Sequence, residues 1–114
     1  MTLFESKKHR QIILAGALLY GTVFFNAAKA SEELMEKAGC ISCHRIDEKL
    51  IGPAYREVAK KYRSSPREQT QIYLTDKVRE GGEGVWGDIP MAPNPPSKIS
   101  DEDLKKLLEW ILSL

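Results

Sequence analysis

Gly39-Cys40-Ile41-Ser42-Cys43-His44 holds the only two cysteines of the 114-residue chain, separated by two residues and followed at once by a histidine. Two thiols at this spacing, with an imidazole one peptide bond beyond the second, form the pattern that attaches a c-type haem. Each thiol can add across one of the two haem vinyl groups, and the thioethers then hold the group permanently, with His44 under the iron as an axial ligand. Other uses of the cysteine pair ask for more than the chain offers. A structural zinc site needs four nitrogen or sulfur ligands, and beyond these three residues only His9 remains, in the N-terminal segment. A thioredoxin-like redox pair belongs in a βαβ setting, and the flanking residues contain no alternating or β-branched run. A disulfide here would close so short a loop that it hardly constrains the unfolded chain, and it would leave His44 without a role.

Residues 1–30 read as an export address. Lys7, Lys8 and Arg10 form a basic leader, Ile12 to Phe25 a mostly apolar stretch, and Ala28-Lys29-Ala30 the small-x-small pattern of a cleavage site. As a helix the apolar stretch reaches about 21 Å, short of a hydrocarbon core about 30 Å thick, so cleavage after Ala30 is expected over retention as an anchor. No Arg-Arg pair is present, which favours the general secretory route to the periplasm over the twin-arginine one. The whole chain carries 17 basic and 16 acidic side chains; residues 31–114 carry 13 and 15, a net charge of −2. That balance gives no signal for nucleic acid. Lys60, Lys61, Arg63 and Arg67 lie close together, a solvated face or a docking patch.

The 84 residues from Ser31 to Leu114 make one domain, small enough that a covalent apolar cofactor would help to supply its core. Helical punctuation places a first helix from a Ser31 cap through Ala38. A short helix follows from about Tyr55 to Lys61. A third opens on the capping box Ser65-Pro66-Arg67-Glu68 and runs to about Glu80, where Gly81-Gly82 ends it. Ser100 with Asp101, Glu102 and Asp103 opens the last helix, whose Leu104, Leu107, Leu108 and Ile111 form a core stripe. No segment makes a good strand, so the class is all-α: about four short helices wrapped around one covalent haem.

The other face of the iron decides what such a protein does. An open position admits oxygen or peroxide, giving a haem-based gas sensor or enzyme, whereas a filled one restricts the iron to passing electrons. His44 is the only histidine after residue 30, which excludes a second histidine ligand within the chain. Met35 lies five residues before Cys40, too near to swing to the opposite face. Met91, 47 residues beyond His44, sits in Ile89-Pro90-Met91-Ala92-Pro93-Asn94-Pro95-Pro96, where four prolines restrict the backbone. A thioether is a soft ligand that favours the reduced metal. His44 and Met91 are therefore the expected axial pair.

The chain resembles the small bacterial class I cytochromes c of the cytochrome c-551/c-552 type. The likeness runs from about Ser31 to Leu114 and rests on the Cys40 to His44 motif, Ile51-Gly52-Pro53-Ala54-Tyr55, Gly84-Val85-Trp86-Gly87, Ile89-Pro90-Met91 and Trp110-Ile111-Leu112-Ser113. It implies a compact cytochrome c fold around one haem and a non-enzymatic role, moving single electrons between periplasmic redox proteins as the iron cycles between Fe(III) and Fe(II). It also implies that the Pro53 carbonyl accepts the free ring N–H of His44, that Asn94 hydrogen-bonds near the methionine sulfur, and that Trp86 reaches a haem propionate. Lys77 stands where relatives carry an arginine near a propionate. A monomer is expected, and the same resemblance implies a quinol-oxidising complex as donor and a nitrite reductase or terminal oxidase as acceptor.

Overall fold

The computed structural model of the chain describes residues 26–114, and the chain divides into two units, Met1–Ala30 and Ser31–Leu114. The leader reading thus falls almost wholly outside the described residues, of which 26–30 are helical. In the second unit helical backbone over 31–37 forms α1, a single 3-10 turn covers Cys40–Ser42, and α2 (Tyr55–Tyr62), α3 (Arg67–Glu80) and α4 (Asp101–Ile111) follow. Four helices and no strand make the described residues all-α. Among the described residues the one piece of β pairing is an isolated antiparallel bridge between Gly82 and Met91.

α4 is the central packing element. The Ser100 hydroxyl accepts the Asp103 N–H at 3.1 Å, and the acids of the first turn, Asp101, Glu102 and Asp103, face the positive end of the helix. Leu104, Leu107, Leu108 and Ile111 lie on one face and are all buried, Leu104 most completely at 1% exposure. They share a core with Met35 and Ala38 from the α1 end, Tyr55 and Val58 from α2, and Leu74 from α3. Two of the N–H groups at the start of α2 donate to the loop behind the cysteine motif, Tyr55 to the Arg45 carbonyl at 2.9 Å and Arg56 to that of Ile46 at 3.0 Å. The loop is thereby fixed to the helix that forms its neighbour.

Two helix starts differ from the sequence expectation. Residues 26–30 are helical ahead of it, so Ser31 stands inside helical backbone and is not a cap; the capping reading applies to a chain that begins at Ser31. At α3 the cap position is Pro66, with φ −57° and ψ 127°, and no side chain caps the helix. Proline fixes φ but leaves ψ free, and here ψ is extended, which moves the helix start to Arg67. The Ser65 N–H instead closes a turn onto the Tyr62 carbonyl at 3.0 Å, and Ser65 makes no capping box.

The two contributions to α4 differ in size. Leu104→Ala removes a wholly enclosed side chain and is expected to cost about 2–5 kcal/mol, whereas Ser100→Ala removes one cap and costs about 1 kcal/mol. Urea unfolding of the two variants checks the order; an equal loss from both would show that the Leu104 site collapses freely.

Candidate functional site

Cys40, Cys43, His44, Pro53, Trp86, Met91 and Asn94 all border one cavity of about 380 Å³, within the range of about 300–1,000 Å³ common to small-molecule sites. Leu74, Leu104, Leu107, Leu108 and Ile111 supply apolar wall to the same cavity. The stripe that builds the core thus also lines the site. Met35 is not part of this wall; it is a core residue at 3% exposure.

The 3-10 turn displays the cysteines because Gly39, at φ 75°, ends α1 in a left-handed conformation that glycine adopts without strain. The Cys43 and His44 N–H groups both donate to the Cys40 carbonyl, at 3.1 and 3.0 Å, which curls the motif tightly. Both cysteines are free and half-buried. Burial pushes the Cys40 thiol above its usual value, with the Tyr55 hydroxyl and Lys98 acting against it.

His44 is fixed on three sides. Its Nδ1 lies 2.8 Å from the Pro53 carbonyl, and its ring stacks on Tyr55 with centroids 5.0 Å apart and planes 21° from parallel. Tyr55 in turn meets Trp110 edge-on at 6.5 Å. The third side is Gly52, where a Cβ would stand 2.5 Å from His44 Cε1 and 2.9 Å from Nδ1. Burial lowers the affinity of the ring for a proton, and the bond to Pro53 opposes this. With Nδ1–H donated to Pro53, Nε2 of the neutral ring carries the free lone pair that a metal needs.

Met91 arrives from the other end of the chain. Its backbone exchanges two hydrogen bonds with Gly82, at 2.9 and 3.0 Å, just past the end of α3. Gly81 has φ 71° and ψ −149°, and a Cβ there would collide with the Met91 carbonyl, so only glycine lets the methionine segment come this close. Asn94 is buried at 7% exposure, and its side-chain amide donates to the carbonyls of Ala92 at 2.9 Å and Val78 at 3.3 Å. Both amide hydrogens are used on backbone, so Asn94 ties the methionine loop to α3. Trp86 is 38% exposed with the Lys61 ammonium 5.4 Å above its ring. Lys77 borders the cavity and lies 5.9 Å over the Tyr73 ring.

A helical core closed over a cavity, with Cys-x-x-Cys-His in its wall, defines a protein that carries haem covalently. The cytochrome c family model matches residues 28–114, and the chain belongs to that family. It is 45% identical over 85 residues to cytochrome c-552 of Hydrogenobacter thermophilus, a match spanning 75% of this chain and 82% of that one. To cytochrome c-551 of Pseudomonas aeruginosa it is 38% identical over 102 residues, 88% of this chain and 93% of the relative. The crystal structure of cytochrome c552 from Nitrosomonas europaea superposes with a TM-score of 0.64 at 41% identity, covering 72% of this chain and 96% of that one. The protein therefore takes one haem c on Cys40 and Cys43 and is an electron carrier, not an enzyme. The residues present fit that group: two free thiols, a neutral imidazole and an apolar wall meet at a cavity of cofactor size.

The sequence pointed to the cysteines, His44 and Met91 through motif and elimination, but it gave Gly52, Gly81 and Tyr55 no role at the site. Gly52-Pro53 was readable as a break before a helix, and Gly81-Gly82 as a helix stop. That each glycine also clears space for a site residue is visible only in three dimensions. Gly52→Ala places a methyl against a ring that Pro53 and Tyr55 prevent from moving, and is expected to cost about 1–3 kcal/mol as an overpacked contact. Unfolding of the haem-bearing variant checks this; wild-type stability would show that the ring has room to retreat.

Proposed function

We propose that the protein is a soluble periplasmic carrier of single electrons whose haem iron is held by His44 and Met91. The observation that carries this reading is that His44 and Met91 border the same cavity, each held there by its own set of backbone bonds. Among the described residues Met91 is the only methionine on that wall. The haem supplies the redox couple, Fe(III)/Fe(II), and the chain sets the conditions under which it works.

Pro53 orients the imidazole and strengthens it as a donor by accepting its N–H. Met91 supplies a neutral thioether, which with histidine raises the reduction potential. The apolar wall built by α4 excludes water and disfavours the added charge of the oxidised state, an effect in the same direction. Two ligands fixed by the fold in both oxidation states leave little to rearrange when the electron moves. Asn94 acts through the backbone of the methionine loop. Trp86, at the half-exposed rim, would hydrogen-bond a propionate, with Lys77 as a nearby point charge.

Electron exchange takes place where the cavity opens. Ile51, Val85 and Ile89 border it and are 50%, 42% and 66% exposed, and Lys49 and Lys61 add positive charge nearby. Glu83 and Asp88 also border the opening, so a redox partner with an apolar centre and a rim of mixed charge fits this edge, in a small and short-lived contact. The donor is of the quinol-oxidising class and the acceptor a nitrite reductase or terminal oxidase. Residues 1–30 act as a secretory leader removed after Ala30, and intact-mass analysis of the exported protein is expected to give an N-terminus at Ser31; a longer form would contradict cleavage. No helix among the described residues is long and apolar enough to cross a membrane.

Met91→Ala tests the ligand assignment. The variant is expected to lose the weak near-red sulfur-to-iron band of the oxidised protein, and its potential to fall by on the order of 0.1 V, a fraction of the range that axial ligands span. An unchanged band and potential would refute Met91 as the ligand.

A further inference from the structure

The loop from 88 to 99 brings Met91 to the cavity with no helix or strand of its own, and four of its residues, Pro90, Pro93, Pro95 and Pro96, have no N–H to give. Such a segment has more carbonyls than donors, and few of its bonds are internal: the Lys98 and Ile99 N–H groups donate to the Pro95 carbonyl and the Asn94 amide to that of Ala92. Other donors come from outside it, and one side chain supplies two of them to the loop. Arg79, in the last turn of α3, donates from Nη1 to the carbonyls of Asn94 and Ile99, each at 2.9 Å, and from Nη2 to the Asp101 carboxylate at 2.5 Å. Its side chain is 17% exposed, whereas that of Asp101 is 83% exposed.

We infer that Arg79 is a positioning residue for the sixth ligand: it staples both ends of the 94–99 segment to α3 and so keeps the Met91 loop closed against foreign ligands. The inference rests on Met91 being that ligand. Geometry distinguishes this role from that of a surface ion pair. The two carbonyl bonds are made by a guanidinium that is largely shielded, and they span the six residues of loop from Asn94 to Ile99. The carboxylate bond is made at the surface, where screening leaves ion pairs little weight. The two carbonyls therefore carry the effect and Asp101 does not. A planar fork is needed to reach all three acceptors at once, which a lysine cannot do.

The consequence is read in ligand capture. Loss of bonds from a charged donor to two buried carbonyls makes loop opening easier by at least about tenfold, and the iron is then reachable by an added base in the same proportion. The experiment titrates imidazole into the oxidised holoprotein and follows the near-red band, in wild type, Arg79→Ala, Arg79→Gln and Asp101→Asn, with urea unfolding of each in parallel. Arg79→Ala is expected to bind imidazole about tenfold or more tightly, Asp101→Asn to bind as wild type does, and Arg79→Gln to fall between. Should Arg79→Ala not yield holoprotein, Arg79→Gln against Asp101→Asn carries the same comparison. Reduced stability with unchanged imidazole affinity would overturn the inference, because it is the mark of a residue that supports the fold alone. An Asp101→Asn effect equal to that of Arg79→Ala would overturn it too, assigning the effect to the ion pair. A wild-type protein without the near-red band would fail the Met91 reading itself, and is distinguished from the other outcomes by the absence of any band to lose.

Discussion

The site depends on a histidine ring that has no freedom to turn. His44 follows Cys43 directly, so attachment of the haem at the thiols already fixes where the imidazole begins; Pro53, Gly52 and Tyr55 then fix how it points. The Pro53 carbonyl selects the tautomer with the proton on Nδ1, and the absence of a side chain at Gly52 lets the ring lie against the backbone. Tyr55 passes the constraint inward, since it stacks on the imidazole and meets Trp110 of α4. Core packing and the orientation of the imidazole are thus one structure. A loosening of α4 reaches the imidazole through a single intervening ring.

The methionine side is built on a different principle. There the chain is irregular and rich in proline, and its order is supplied by the end of α3: Gly81 permits the approach, Gly82 pairs with Met91, Val78 accepts two bonds from Asn94, and Arg79 reaches across to the far end. The carbonyls left free at a helix C-terminus need donors, and the loop carbonyls need them too. Each deficit is met partly by the other segment. In the proposed carrier this gives the thioether a fixed position without a helix or strand to hold it.

How much of this was legible depends on whether the signal was local. Cys-x-x-Cys-His states its chemistry in five residues, and the α4 stripe states its burial in eight; both needed no knowledge of the fold. The cap at Ser100 was readable for the same reason. The capping box at Ser65 was not, because whether Pro66 takes the first helical position or stands just outside depends on its ψ, which the sequence leaves open. Asn94 was legible as a residue of the methionine loop, but its partners on Val78 and Ala92 were not. Tyr55, Gly52 and Arg79 carry ordinary helix, turn and surface signals. Their positions at the site come from contacts between segments far apart in sequence.

In the proposed carrier Met91, brought to the cavity by a loop fastened to α3, would complete the iron coordination together with His44. Proton NMR of the reduced protein tests it directly, because the ring current of a haem shifts protons lying over its face far upfield. A three-proton resonance upfield of the rest of the spectrum is expected to assign to the Met91 methyl group, with the Met35 methyl in the ordinary core region. An upfield methyl assigned to Met35, or a spectrum with no such resonance, would contradict it.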